Sequence, residues 1–155
     1  MENELIFQLK DLGNFLLIQP IELEYEKSNL DWDRNWIKCK IKVNSSSFSG
    51  NYNAELTTFD FENFKSDLNF IYSDLKGKIE FKDLEGYLTI NIVGDGTGNF
   101  AAKIICNDRP GIYSTELTFE LKFDQTHIKE MVHKLNEITK SFPIIGDYNK
   151  NNYKI

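Results

Sequence analysis

Residues 36–75 read WIKCKIKVNSSSFSGNYNAELTTFDFENFKSDLNFIYSDL, and two periodicities meet within them. In the first part Ile37, Cys39, Ile41 and Val43 alternate with Lys38, Lys40 and Lys42, the period of two expected of a half-buried strand. Ser45-Ser46-Ser47 marks a turn, after which Phe48, Tyr52, Ala54 and Leu56 share one face of a second strand, with Gly50 admitting a twist or bulge. Long strands joined by so short a loop are expected to pair antiparallel. Beyond Leu56 the period changes: Phe61, Phe64, Leu68, Ile71, Tyr72 and Leu75 recur at spacings of three and four, the mark of an amphipathic helix. Thr57 or Thr58 can cap it, Asp60 and Glu62 suit its positive end, and Gly77 stands where helices commonly stop.

Upstream, Leu5–Leu9 and Phe15–Ile18 flank Asp11-Leu12-Gly13-Asn14 and suggest a hairpin, which Pro20 then interrupts. From Ile21 the alternation resumes, with Ile21, Leu23 and Tyr25 on an expected inner face and Glu22, Glu24 and Glu26 outside. Set beside Lys38, Lys40 and Lys42 on the next strand, these glutamates predict a cross-strand charge ladder, each exposed pair contributing only a few tenths of a kcal/mol. Such a polar face is also a surface that a partner can use.

Downstream, strands are expected at Lys78–Phe81, Gly86–Val93, Asn99–Cys106 and Glu116–Phe123, a meander with one buried face. Asp124 then caps a second helix whose stripe Ile128, Met131, Val132, Leu135, Ile138 and Phe142 ends before Pro143. No internal repeat at a fixed period is visible. The fold class that follows is α+β: a twisted antiparallel sheet of about seven or eight strands with two amphipathic helices packed on it. Residues 1–142 form one domain on this reading, and 143–155 a polar tail anchored through Tyr148 or Tyr153.

Composition limits the function. The chain has 155 residues, 41% hydrophobic and 27% charged, enough for one self-sufficient core. Its 12 Phe, 7 Tyr and 2 Trp favour pleated, half-buried surfaces. The first ten residues show no secretory pattern and no stretch is apolar enough to span a membrane, so a cytoplasmic protein is expected. Cys39 and Cys106 sit in alternating segments as small hydrophobes rather than a disulfide framework. A net charge of −6 repels phosphate backbones and attracts basic partners, so direct nucleic-acid binding is not expected.

No catalytic, metal or cofactor constellation assembles. Gly94-Asp95-Gly96-Thr97-Gly98 is rich in glycine like a phosphate loop, but a strand follows it instead of a helix, which makes it a hairpin turn. His127 and His133 lie six residues apart on the second predicted helix and face apart, so neither serves a metal. A nucleophilic Ser or Cys lacks a local base, and no Gly-x-Ser-x-Gly elbow occurs. Asp31 and Asp33, in a loop leading into a strand, suit turn formation and solvation.

One segment carries more than pattern. Asp31-Trp32-Asp33-Arg34-Asn35-Trp36-Ile37, followed by alternating strands and by Leu56-Thr57-Thr58-Phe59-Asp60 at the helix start, resembles the WapI-family immunity proteins. Those proteins share a Trp-Asp-x-Asn-Trp-Leu-like lead into a strand, a Leu-Thr lead into the first helix, a Gly-Asp-Gly turn and a closing amphipathic helix. The likeness runs from about Glu22 to Phe142, with Ile37 where the family often has Leu. It implies a non-catalytic, stoichiometric inhibitor of the C-terminal domain of a contact-delivered polymorphic toxin, a basic domain of the kind found in nucleases. Glu22, Glu24, Asp31, Trp32 and Asp33 are the expected partner-binding residues, with Trp32 either an exposed anchor or a structural corner. The rival readings are a small-ligand carrier using the aromatic sheet face and a structural homodimer paired through a strand edge, so the chain is expected to be a monomer or a homodimer.

Overall fold

Residues 4–148 are described by the computed structural model. The chain runs β1 (Phe7–Asp11), β2 (Asn14–Leu23), a 3-10 turn (Asp33–Asn35), β3 (Trp36–Ser45), β4 (Phe48–Thr57), α1 (Thr58–Asp74), β5 (Lys76–Lys82), β6 (Leu88–Asp95), β7 (Asn99–Asn107), β8 (Glu116–Asp124) and α2 (Gln125–Ser141). The class is α+β, with eight antiparallel strands and two helices, and the strands divide into two sheets ordered β1-β2-β3-β4 and β5-β6-β7-β8. The architecture therefore repeats, four strands and a helix twice over. No sequence period betrays this, because the halves share only the alternation that any half-buried strand shows.

Helix α1 separates the two meanders, and its start is fixed locally. Thr57 Oγ1 accepts the Asp60 N–H at 3.2 Å while the Asp60 carboxylate accepts the Thr57 N–H at 2.8 Å, a reciprocal capping box. The helix ends at Leu75, which takes a left-handed conformation with φ of +60°, and not at Gly77, which lies inside β5. The Leu75 carbonyl accepts the Gly96 N–H at 2.8 Å. A Cβ on Gly94 would stand 2.6 Å from that same oxygen and 2.8 Å from the Phe100 ring, so close approach of backbone excludes any larger residue there. The glycine-rich stretch is thus the β6–β7 hairpin, with the Asp95 carboxylate accepting the Thr97 N–H at 2.7 Å.

The strand expected to begin at Ile21 is in fact the end of β2, which passes through Pro20 without a break. Pro20 stands opposite Cys39 and the register slips between Pro20 and Glu22, a bulge at the residue that lacks an N–H to donate. The slip resets the alternation. Ile21 and Tyr25, expected on the inner face, are each 46% exposed. The slip also brings Glu22 opposite Lys38, with Lys38 Nζ 3.4 Å from Glu22 Oε1, and this pair is what forms of the expected charge ladder among the described residues, because the register ahead of the slip sets Lys40 opposite Gln19 and Lys42 opposite Leu17.

Both sheets turn their apolar faces to one core. Phe64 of α1 lies at its centre, 5.4 Å from the Phe7 ring of the first sheet and 5.2 Å from Phe81 of the second. Helix α2 packs beside α1 with Ile128, Met131, Leu135 and Ile138 buried, capped by the Asp124 carboxylate on the Thr126 N–H at 2.9 Å. Two polar contacts join the sheets directly: the Asp11 carboxylate accepts the Lys122 N–H at 2.9 Å, and the Tyr52 hydroxyl donates to the Tyr87 carbonyl at 2.7 Å. Cys39 and Cys106 are free, buried thiols, and burial pushes that of Cys106 up to about 11. Among the described residues no helix is long and apolar enough to cross a membrane.

Truncating Phe64 removes the ring that both sheets share. Phe64→Ala is expected to cost about 3–5 kcal/mol in urea denaturation. Both sheets are expected to unfold in one transition, and loss of one sheet before the other would contradict a common core.

Candidate partner-binding surface

The loop between β2 and β3 is shaped by its own polar side chains. Ser28 Oγ donates to Asp33 at 3.1 Å and accepts the Leu30 N–H at 3.2 Å, while Arg34 lies 3.6 Å from Asp31 across one turn. Asn35 is fully buried and uses both ends of its amide: Nδ2 donates to the Asp31 and Ile145 carbonyls at 2.8 and 2.9 Å, and Oδ1 accepts the Ile145 N–H at 2.8 Å. The side chain thereby pairs with Ile145 as a strand neighbour would, and clasps the segment that follows α2 to this corner.

Trp32 is held by the same construction. Its ring stacks on Phe59 of α1 at 5.0 Å and 21°, and Tyr148 meets both rings edge-on, at 6.0 Å from Trp32 and 5.3 Å from Phe59. Trp32 is half-buried, so it serves as a corner of the fold while one part of it remains accessible. Tyr153, the other expected anchor, lies outside the described residues.

That accessible part borders an open cleft of about 530 Å³ between α1 and β5, where Asp60, Asp67, Glu80 and Asp83 outnumber the single cation Lys82. Burial pushes the Asp60 carboxyl up to about 6, against the opposing pull of its hydrogen bonds from Thr57. Asp83 is buried and organises the β5–β6 loop by accepting the N–H groups of Gly86, Tyr87 and Leu88 at 3.1, 3.0 and 2.9 Å. Beside the cleft, burial raises the Glu55 pKa, Glu24 and Glu85 raise it further, and Lys38 opposes them. Tyr25 feels the same field, its phenol pKa raised first by Glu55 and then by burial, Glu24, Asp33 and Glu85.

The five residues singled out in the sequence thus occupy distinct places at this end of the molecule. Glu22 is tied to Lys38, Glu24 joins the carboxylate group, Asp31 and Asp33 edge the corner, and Trp32 stands at the mouth of the cleft. Glu55, Asp83 and Glu85 escaped the sequence reading and Asp60 was read there only as a helix-start acid, since they are spread over β4, α1 and the β5–β6 loop and only the tertiary fold gathers them. The histidines lie elsewhere, on α2, His127 within 3.2 Å of Asp124 and His133 within 3.1 Å of Glu137.

Fold and surface together define a two-sheet α+β domain that presents an acidic, aromatic-edged end. The chain belongs to the Immunity protein WapI-like family, whose profile matches residues 6–143. No curated protein matches the chain significantly. Among solved structures it is similar to Trypanosoma brucei MRP1/MRP2, at 8% identity over 92% of this chain and 88% of that one, with a TM-score of 0.50. Arabidopsis thaliana WHY1 aligns at 11% identity over 94% and 88% of the two chains with a TM-score of 0.49, and the plant transcriptional regulator PBF-2 at 14% over 99% and 97% with a TM-score of 0.45. At 8% identity, the likeness to MRP1/MRP2 is one of fold.

Two substitutions probe this corner. Asn35→Ala strands the Ile145 backbone groups and is expected to cost about 1–3 kcal/mol, with a red shift of tryptophan emission as the segment bearing Tyr148 leaves Trp32. Asp60 carries a raised pKa, so the folded state holds more protons than the unfolded one between the unfolded value and about 6. Its contribution therefore favours folding at low pH and declines as pH rises through that window. Asp60→Asn, which keeps an acceptor for the Thr57 N–H, is expected to gain about 1–3 kcal/mol relative to wild type between about pH 5 and pH 7 in denaturant titrations, and little at about pH 4.

Proposed function

We propose that this protein neutralises the toxic C-terminal domain of a cognate, contact-delivered polymorphic toxin by binding it stoichiometrically, with the acidic end as the docking surface. Membership of the immunity family supports the general role. The observation that carries the particular reading is the gathering of Glu24, Glu55 and Glu85 beside an acid-lined cleft edged by Trp32, at one end of a chain of net charge −6. Such a field speeds encounter with a basic protein and fixes its orientation. The toxin domain is accordingly a basic one, of nuclease type, whose substrate groove the carboxylates fill in place of phosphate. Trp32, held by Phe59 and Tyr148, offers a rigid aromatic edge at the centre of the contact.

On this reading the chain makes and breaks no bond. It acts in the cytoplasm of the bacterium that produces the toxin, Glu22, Glu24, Asp31 and Asp33 steer the encounter, and Trp32 slows departure.

Co-expression is expected to rescue cells from the cognate toxin domain and not from unrelated ones. Replacing Glu22, Glu24, Asp31 and Asp33 by Ser is expected to slow association about tenfold at low salt and to flatten its salt dependence, while Trp32→Ala acts mainly on dissociation. Both are read by surface-immobilised binding kinetics. A well-folded wild-type chain that gave no rescue, or a quadruple variant with unchanged low-salt kinetics, would count against the proposal.

A further inference from the structure

The outward face of the first sheet sorts its charges along the strands. In the second sheet one cross-strand row, Glu80, Asn91, Lys103 and Glu120, sets a lysine opposite an acid, while another, Lys78, Val93, Ala101 and Lys122, has none. In the first sheet the corresponding rows are Gln19, Lys40, Asn53 and Leu17, Lys42, Asn51, with no acid in either. Lys40 and Lys42 are exposed and form no ion pair among the described residues. Lys38 marks the changeover, bonded to Glu22 at 3.4 Å and opposite Glu55 on β4. Beyond it lie Glu24, Glu55 and Glu85. Charge along β3 therefore passes from positive through neutral to negative, within roughly 13 Å for Lys42 to Lys38 at the rise of a strand.

A groove of about 360 Å³ sits at the changeover, its lining shared by Glu24, Glu55, Lys38, Lys40 and Ile21. Ile21 stands next to the bulge and is 46% exposed there.

We propose that this strip is a self-docking surface whose occupant is a second copy of this chain. A strip that is positive at one end and negative at the other is complementary to itself when reversed. Two copies related by a two-fold axis through the groove place Lys40 and Lys42 of each on Glu24 and Glu55 of the other, and such a contact closes at a dimer. Exposed Ile21 of each copy then meets at the centre, where it excludes water from the flanking charges. A phosphate-bearing strand suits the strip less well, since its path would run from the lysines onto the carboxylates. Only one consequence rests on the toxin reading: self-docking covers the acidic end, so dimer and toxin complex compete.

Sedimentation velocity on the purified chain alone tests the proposal without any toxin. At about 20 mM salt the wild type is expected to shift from monomer to dimer with rising protein concentration, and to remain monomeric at about 500 mM, where charges are screened within a few ångströms. The double variants Lys40→Glu with Lys42→Glu, and Glu24→Lys with Glu55→Lys, are each expected to lose at least tenfold in self-association. Their equimolar mixture is expected to recover a dimer, because each heterologous pair then meets opposite charge at both contacts; recovery also shows that both variants are folded. A wild type that stays monomeric at low salt, variants that dimerise unchanged, or a mixture that does not recover would overturn the proposal. So would salt-dependent binding of a labelled single-stranded oligonucleotide through Lys40 and Lys42 by a chain that sediments only as monomer.

Discussion

Phe64 is one side chain on one helix, yet the relation between the two sheets passes through it. Its ring meets Phe7 on one side and Phe81 on the other. A four-stranded meander buries one face only, and neither meander has a partner sheet of its own. Helix α1 supplies the missing surface to both, with Phe61, Leu68 and Ile71 also fully buried. The capping box at Thr57 and the turn at Leu75 therefore set more than the length of a helix. They set the direction in which the chain leaves one sheet and joins the other.

The acidic end follows from that geometry. The start of α1 brings Phe59 under Trp32 and Asp60 into the cleft, and the β5–β6 loop, tied down by Asp83, carries Glu85 toward Glu55. Asn35 closes the corner by holding Ile145, which lies 110 positions away in the chain. Buried amides that satisfy both donor and acceptor fix a single arrangement, because any other leaves polar groups unpaired away from water. The surface is thus a by-product of rigid parts, which suits a protein that must recognise without rearranging.

Local features were legible in the sequence. The lysine-alternating strand, both helices and their caps at Thr57 and Asp124 depend on neighbours within a few residues, and patterning reports such neighbours well. The bulge was not legible, because Pro20 remaining in the ladder depends on Cys39 across from it. Nor was the division into two sheets, since alternation tells which face of a strand is buried and not what covers it. The same limit governs the surface. Glu24, Asp31 and Asp33 drew notice as parts of one charged segment, whereas Glu55 and Glu85 become its companions only through long-range packing.

Stability alone does not account for where the carboxylates lie. Burial makes Glu55 harder to ionise, Glu24 and Glu85 beside it add to that, and a shift of that kind opposes folding. One row of the second sheet, Glu80, Asn91, Lys103 and Glu120, shows that this architecture can set a base opposite an acid across strands. In the first sheet Lys38 alone has acids across from it, Glu22 and Glu55, while Lys40 and Lys42 stand in rows without one and Glu24 lies beyond their end. Separated charge of this kind leaves each sign unsatisfied in the isolated chain and relieved by contact with the opposite sign. That is the electrostatic condition of a surface built for association, and it holds for a basic toxin domain and for a reversed second copy alike.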